Sequence, residues 1–474
     1  MRLNTVVIIG AGFSGAAVAA QLIRRATTPL RVVLVNKSGR MARGLAYGTR
    51  SPDHLLNVPA GNMSALPDEP ENFLHYCQWA DSSVRPHSFV PRALYGAYLD
   101  ALLNTGESRD GAMLERMVGQ ALDISQDESH VTVTLDGNRQ IFCDEVVLAF
   151  GHFSPNHVLP KSEFDELGPR YIADPWSVDL QARLPRTGRI LLVGSGLTAL
   201  DVLISLRRQG YEGQITCLSR RGLTPLGHRP EGAKPDTVDG AALAASMGQS
   251  LRQQVRVLRA ATRAAMARGE DWRDVIGALR RHTPSLWRTL TFADRRRFLR
   301  HVRPYWEVLR HRCAPAAQEV VRELKEFGRL RYLAGRLCSA RLNPVEGTVE
   351  ATFRLRGDTR TVTEQFGFVV NCTGPGSNVL RSGEPLLERL MAKQQLCPDP
   401  LGLGLVVDEH YAVLDVKAQA QPWLYYIGPL LKARDWESTA VPELREHAQR
   451  LAKCLLAKHS GRADMQPGDA RTLG

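Results

Sequence analysis

The chain has 474 residues, 43% hydrophobic and 23% charged, enough for two or three ordinary domains with sizeable cores. No run approaches the ~20 apolar residues of a membrane span, and Val6-Val7-Ile8-Ile9 is too short for a signal peptide, so a protein outside the membrane, in the cytoplasm, is expected. The net charge is +12, much of it in residues 250–335, where arginines alternate with apolar residues at helical spacing and no DNA- or RNA-binding motif accompanies them; that reads as a solvated helix face rather than a nucleic-acid surface.

The first predicted strand, residues 5–9, runs into Gly10-Ala11-Gly12-Phe13-Ser14-Gly15 and an alanine-rich helix. A GxGxxG between strand and helix is a dinucleotide turn. Gly10 allows the tight turn, Gly12 lets backbone approach a pyrophosphate, and Gly15 lets helix and strand pack closely. The helix N-terminus favours negative charge. The next strand, residues 31–35, ends at Asn36-Lys37, where such units normally carry an acid for the ribose. Asn can donate and accept, but without the charge.

Residues 131–142 read as a hairpin turning at Asp136-Gly137, followed by an apolar strand that stops at Phe150-Gly151. The pattern then repeats. A strand over 189–193 meets Gly194-Ser195-Gly196-Leu197-Thr198-Ala199, with alanine as the third small residue. A helix over 200–209 follows, then a strand ending at Ser219-Arg220-Arg221. Two arginines and no acid suit a 2′-phosphate, favouring NADPH over NADH. A second hairpin turns at Gly357-Asp358, and its return strand stops at Thr373-Gly374. A further strand over 424–427 leads to Gly428-Pro429, and the tail beyond Gly461 is polar and expected to fray.

The predicted fold is α/β, with two Rossmann-like, doubly wound dinucleotide-binding domains and a helical insertion. Residues 1–155 with 375–474 form an FAD domain, 156–235 with 331–374 an NAD(P)H domain, and 236–330 the insertion, where Trp272, Trp287, Tyr305 and Trp306 are interspersed. Two turns in this order imply FAD in the first and a hydride donor, NADPH or NADH, in the second. Eight scattered cysteines show no CxxC and no zinc spacing, so buried thiols and no metal are expected, and a disulfide-reductase reaction is disfavoured.

Several segments carry a family likeness: the two glycine turns, Gly44-Leu45-Ala46-Tyr47-Gly48-Thr49, His54-Leu55-Leu56-Asn57-Val58-Pro59-Ala60, Phe89-Val90-Pro91-Arg92, Asp271-Trp272-Arg273 and residues 436–445. On these the chain resembles the bacterial FAD/NAD(P)-binding oxidoreductases related to flavin-dependent N-hydroxylating and Baeyer–Villiger monooxygenases. The resemblance implies NAD(P)H- and O₂-dependent hydroxylation of a small polar substrate. One activity of that neighbourhood is FAD-dependent urate hydroxylation, in purine breakdown. It places residues 43–49 and Asn57 over the flavin, Gly428 and Pro429 beside it, and Arg92 near the FAD phosphates or in a surface salt bridge.

The expected cofactor-binding set is therefore Gly10, Gly12, Phe13, Ser14, Gly15, Asn36, Lys37 and Asn57; Gly194, Ser195, Gly196, Leu197, Thr198, Ser219, Arg220 and Arg221; and Thr373, Gly374, Gly428 and Pro429. No triad marks a catalytic acid or base. Among His54, His152, His157 and His228 the last stands out, and His228 and Arg92 are the catalytic candidates. The basic balance favours an anionic substrate. Two alternatives stay open: an NAD(P)H oxidoreductase without oxygen insertion, and a nucleotide-responsive scaffold. The oligomeric state is not set by the sequence.

Overall fold

A computed structural model describes residues 3–49, 51–104, 108–109, 111–128, 130–177, 179–229 and 238–463, so the end of the polar tail, 464–474, lies outside the described residues. Continuous apolar runs bury strands on both faces. Asn4–Ile9 lies at the heart of the first sheet, with Val6, Val7 and Ile8 inaccessible to water. It pairs in parallel with Leu30–Asn36 on one side and Glu145–Leu148 on the other. Ala420–Tyr426, from the far end of the chain, extends the sheet beyond Glu145–Leu148. On the opposite flank Ala112–Val118 pairs in parallel with Leu30–Asn36, a strand the residue pattern does not announce. Helix Phe13–Arg25 covers one face and packs against the C-terminal helix, Val441–Ala463. There His459 meets the fully buried Glu145 at 2.6 Å.

The second sheet repeats the plan. Arg189–Val193 pairs in parallel with Gln214–Ser219 and with Phe368–Asn371. The two hairpins differ. Val131–Leu135 and Gln140–Cys143 join Ala121–Gln126 in a separate three-stranded sheet. Thr348–Leu355 and Thr361–Phe366 instead continue the second main sheet through the long strand Leu330–Asn343.

The insertion is shorter than its sequence bounds of 236–330. Helix Pro315–Glu326 packs Ala317 and Val321 against Leu200 and Ile204 of helix Leu197–Arg208. It then feeds Leu330–Asn343, which lies parallel to Gln214–Ser219. It is therefore the crossover helix of the second unit, because parallel neighbours need such a connection. The true insertion ends before it. Its core of Leu251, Ile276, Trp287, Leu290, Phe298 and Trp306 closes on Leu403, Ala433 and Trp436, which follow the second unit in sequence. The insertion leaves the second unit and is anchored on the first.

Helix Leu197–Arg208 ties the units together. Asp201, Ser205 and Arg208 recur at i, i+4 and i+7 on one face. Asp201 accepts a two-pronged bond from Arg92 at 2.9 and 3.0 Å, and Arg92 Nε donates to the Leu55 carbonyl at 2.9 Å. Both side chains are about nine-tenths buried (10% and 8% exposed). His54 Nε2 donates to the Asp201 carbonyl at 3.2 Å and lies 3.0 Å from Ser205 Oγ. Its Nδ1 therefore accepts from the Thr49 hydroxyl, at 2.8 Å. Arg208 reaches Asp53 at 2.8 Å. Removing one member of a buried pair strands the other charge, at a cost of about 3–5 kcal/mol. Urea unfolding of Arg92→Ala or Asp201→Ala should show a loss of that size, and the double variant Arg92→Met/Asp201→Leu should recover most of it.

Candidate functional site

Between the units lies a cleft of about 1570 Å³, and both glycine turns open onto it. The turns are built alike. Gly10 and Gly194 take φ of +110° and +126°, a region costly for other residues. A Cβ on Gly10 would come within 2.6 Å of the Ala149 carbonyl, and one on Gly194 would collide with the carbonyl of Cys372. In each unit the first glycine thus rides against the residue that follows a neighbouring parallel strand, Glu145–Leu148 in the first and Phe368–Asn371 in the second. Gly15 sits against the Gly10 carbonyl, which fixes how closely helix and strand pack.

Gly12 and Gly196 are the N-caps of the two following helices, at φ/ψ of −78°/−162° and −86°/−160°. Neither helix start receives a side-chain cap, so its leading N–H groups are left for an external acceptor. A Cβ on Gly12 would find only Gly44 Cα, at 3.8 Å, and one on Gly196 nothing within 4 Å. These two glycines are not required by protein packing. The space they keep clear fits a pyrophosphate laid on each helix start.

At the first strand end, Asn36 Nδ2 donates to Ser38 Oγ at 3.1 Å and to the Arg40 carbonyl at 3.0 Å, so its amide shapes the loop. Lys37 pairs with Glu384 across the rim at 2.8 Å. At the second, Ser195 Oγ donates to the Leu223 carbonyl and lies 2.8 Å from Ser219 Oγ. Arg221 donates to the Arg300 carbonyl at 3.1 Å and stacks on Tyr305. Arg220 is exposed and has no ion-pair partner among the described residues. Leu197, Thr198, Thr373, Gly374 and Pro429 also line the cleft, and Thr373 is braced by two bonds to Asn371 Oδ1. Gly428, at φ +139°, turns the chain out of its strand, where the Tyr426 hydroxyl donates to the Phe150 carbonyl and accepts from Leu430 N–H, both at 2.9 Å. Phe13 and Ser14 are buried and still reach the lining.

His228 Nε2 donates to the Asn57 carbonyl at 3.0 Å, and the Phe89 ring lies 5.1 Å away. Burial, then the Arg312 charge, lowers its pKa to about 4, so near neutrality the ring is uncharged and Nδ1 is its free acceptor. His152, exposed within the cleft, is lowered to about 4 by its recessed position and by Lys432. The other sequence candidates lie elsewhere: His54 in the clasp, and His157 stacked on Phe164 at 4.2 Å. Arg92 lines the cleft, with its guanidinium engaged by Asp201.

The insertion supplies a wall that sequence reasoning missed. Glu307 holds Arg303 at 2.7 Å and Lys432 at 3.7 Å. Lys432 also sits 4.3 Å over the Trp436 ring. Glu437 accepts from Trp306 Nε1 at 2.8 Å and pairs with Arg310 at 3.0 Å, while Glu443 pairs with Arg280. In all, fourteen Lys and Arg line the cleft against five Asp and Glu, so much of the chain's positive charge is focused there. Among the described residues no group of three or more His, Cys, Asp or Glu could hold a metal ion, and no helix is long and apolar enough to cross a membrane.

Residues 7–153 match the FAD-NAD(P)-binding family. No curated protein matches the chain by sequence. In structure it is similar to the ornithine N-hydroxylase of Kutzneria sp. 744 (14% identity, TM-score 0.64), covering 97% of this chain and 100% of that one. The ornithine hydroxylase of Pseudomonas aeruginosa follows at 16% identity and TM-score 0.62, covering 96% and 99%. The FAD-bound cadaverine monooxygenase of Erwinia amylovora has 14% identity, TM-score 0.62 and full coverage of both chains. The thioredoxin reductase of Lactococcus lactis is more distant, at 10% identity and TM-score 0.50 over 97% and 100%. The shared property is the two-unit fold.

Gly196→Ala has room for its methyl group and should fold with unchanged stability, yet weaken NADP⁺ binding, measured by titration calorimetry, on the order of tenfold or more. Gly194→Ala should instead unfold more easily, since its Cβ has nowhere to go.

The depressed histidines predict a pH dependence. His228 and His447 each sit near pKa 4 rather than 6.5, chiefly through burial. The unfolded chain binds protons that the native state refuses, so stability is full above about pH 6.5 and falls as pH drops toward about 4. Denaturant midpoints across that window should decline, and His447→Gln should flatten the slope.

Proposed function

We propose that this chain is an NAD(P)H-dependent FAD monooxygenase that hydroxylates a small, polar, anionic substrate. The observation that carries the reading is the opening of two geometrically matched glycine turns onto one cleft. Gly10, Gly12, Phe13, Ser14, Gly15, Asn36 and Lys37 would hold the adenine half of FAD, with Asn57, Gly428 and Pro429 nearer its ring. Gly194, Ser195, Gly196, Leu197 and Thr198 would hold the NADPH pyrophosphate, with Thr373 and Gly374 at the neighbouring strand end. Arg220 is exposed at the second strand end and free to meet a 2′-phosphate. A flavin held there would supply hydride acceptance from the nicotinamide and activation of O₂.

The residues around that chemistry have definable tasks. The Arg92–Asp201 clasp holds the units so that both glycine turns face one cleft. His228, neutral and fixed by Asn57, presents Nδ1 as a proton acceptor on the cleft wall. The excess of basic side chains draws in an anion. A dithiol exchange needs a pair of cysteines at the flavin. Among the described residues Cys372 alone lines the cleft, and all eight cysteines are free, which favours oxygenation over disulfide reduction.

The N-hydroxylating neighbours support the reaction type. Urate rests on the sequence resemblance alone, and the neighbours named above act on ornithine and cadaverine. The decisive measurement is oxygen balance in a screen of acidic metabolites with purines included. A true substrate should accelerate NADPH oxidation and acquire one atom of ¹⁸O from ¹⁸O₂, with little peroxide. If every electron pair ends as hydrogen peroxide whatever is added, the oxidoreductase without oxygen insertion is the correct reading. If the purified protein binds no flavin, the proposal fails outright.

A further inference from the structure

The segment Arg310-His311-Arg312 leaves the C-terminal end of helix Arg303–Arg310, and all three residues line the cleft. The cations around it have partners. Arg310 pairs with the buried Glu437 at 3.0 Å. Arg273 donates to the Gly227 carbonyl at 3.1 Å and pairs with Asp271 at 3.3 Å. Arg229 meets Asp271 at 3.2 Å and also Asp274. Arg312 differs from all of them. Among the described residues it has no ion pair and no hydrogen bond, and its Nε is buried without an acceptor. Its guanidinium lies 6.0 Å from the centre of the Trp272 ring, which Arg273 also covers at 4.5 Å.

A guanidinium withdrawn from water among other cations is unfavourable unless negative charge meets it. The strain is visible: burial, then Arg310 and Arg273, lowers the Arg312 pKa to about 10. Asp271 and Asp274, the nearby acids, are already engaged by Arg229 and Arg273.

We infer that Arg312 is the receptor for an oxyanion, a carboxylate or a phosphate, that enters the cleft beside His228. Two sources present that chemistry: the substrate, and a phosphate of the nicotinamide dinucleotide. The setting favours the substrate. A side recess of about 670 Å³ opens at Ser195 and Gly196, beside the second turn; Arg229 and Arg273 line it and Arg312 does not. Arg312 lines the main cleft and not the recess, whereas His228, bonded to the Asn57 loop of the first unit, lines both.

The inference rests on the proposed role of the cleft, and melting of the FAD-loaded protein tests it separately, because melting reports anion binding whether or not NADPH is oxidised. Benzoate and inorganic phosphate are the probes, with NADP⁺ as the dinucleotide arm. The wild type should melt at rising temperature with saturable benzoate or phosphate. In Arg312→Gln that shift should vanish, with affinity weakened by about tenfold or more, the scale of one charge-assisted hydrogen bond. Without anion, Arg312→Gln should melt no lower than wild type, because it removes an uncompensated charge. Arg312→Lys, which keeps the charge, should retain a weaker shift. Loss of the benzoate shift with NADP⁺ affinity unchanged identifies the substrate as the source. A matching loss of NADP⁺ affinity identifies the dinucleotide. A benzoate or phosphate shift that survives in Arg312→Gln, or a variant that melts well below wild type without anion, overturns the inference, the latter by making Arg312 structural.

Discussion

Two sheets built from different stretches of chain must face each other at a fixed angle before the glycine turns can serve one reaction, and a single carboxylate does most to hold that angle. Asp201 projects from the very helix whose uncapped start opens on the cleft, and it binds Arg92 of the other unit with both oxygens. A two-pronged bond fixes direction as well as distance. Helix Leu197–Arg208 therefore works at both ends. Its N-terminus faces the cleft, and its flank carries Asp201, Ser205 and Arg208 to the first unit. The insertion adds a second tie from the opposite side, through Trp306, Arg310 and Glu437.

The two halves solve one problem with nearly the same backbone. In both, a glycine at positive φ presses against the carbonyl just past a neighbouring parallel strand, and a second glycine caps the helix with room left beside it. The departures lie at the strand ends. Asn36 spends its amide on its own loop, whereas Arg220 is left exposed at the corresponding corner. One corner is neutral and structurally committed, and the other is positive and open. Charge rather than shape distinguishes the two glycine turns and their strand ends.

Much of this was legible in the chain itself. The strand–turn–helix units, both hairpins and the return strands follow from glycine spacing and unbroken apolar runs, which are local properties. Ala112–Val118 escaped because only its first residue is fully buried, so it lacks the apolar run that marks its neighbours. Helix Pro315–Glu326 was assigned to the insertion because its arginines and glutamates match that region in composition, while its attachment to Leu200 and Ile204 is a long-range fact. The partners of Arg92, His54, Glu437 and Glu443 were hidden for the same reason. So was Arg312, which is one arginine among many until its neighbours are seen to be paired and it is not.

The nesting of one unit inside the other bears on how the polypeptide assembles. The second unit lies within one stretch of chain, interrupted only by the insertion, whereas the first sheet needs Asn4–Ile9 from the beginning and Ala420–Tyr426 from near the end. During synthesis the inner unit can complete its sheet while the outer one still exposes the edge of Glu145–Leu148. That edge is sealed only when the last strand arrives and His459 reaches Glu145. Until then the outer unit carries an open flank, and the nascent chain depends on the speed of its own final hundred residues, or on a chaperone, to keep that edge from pairing elsewhere.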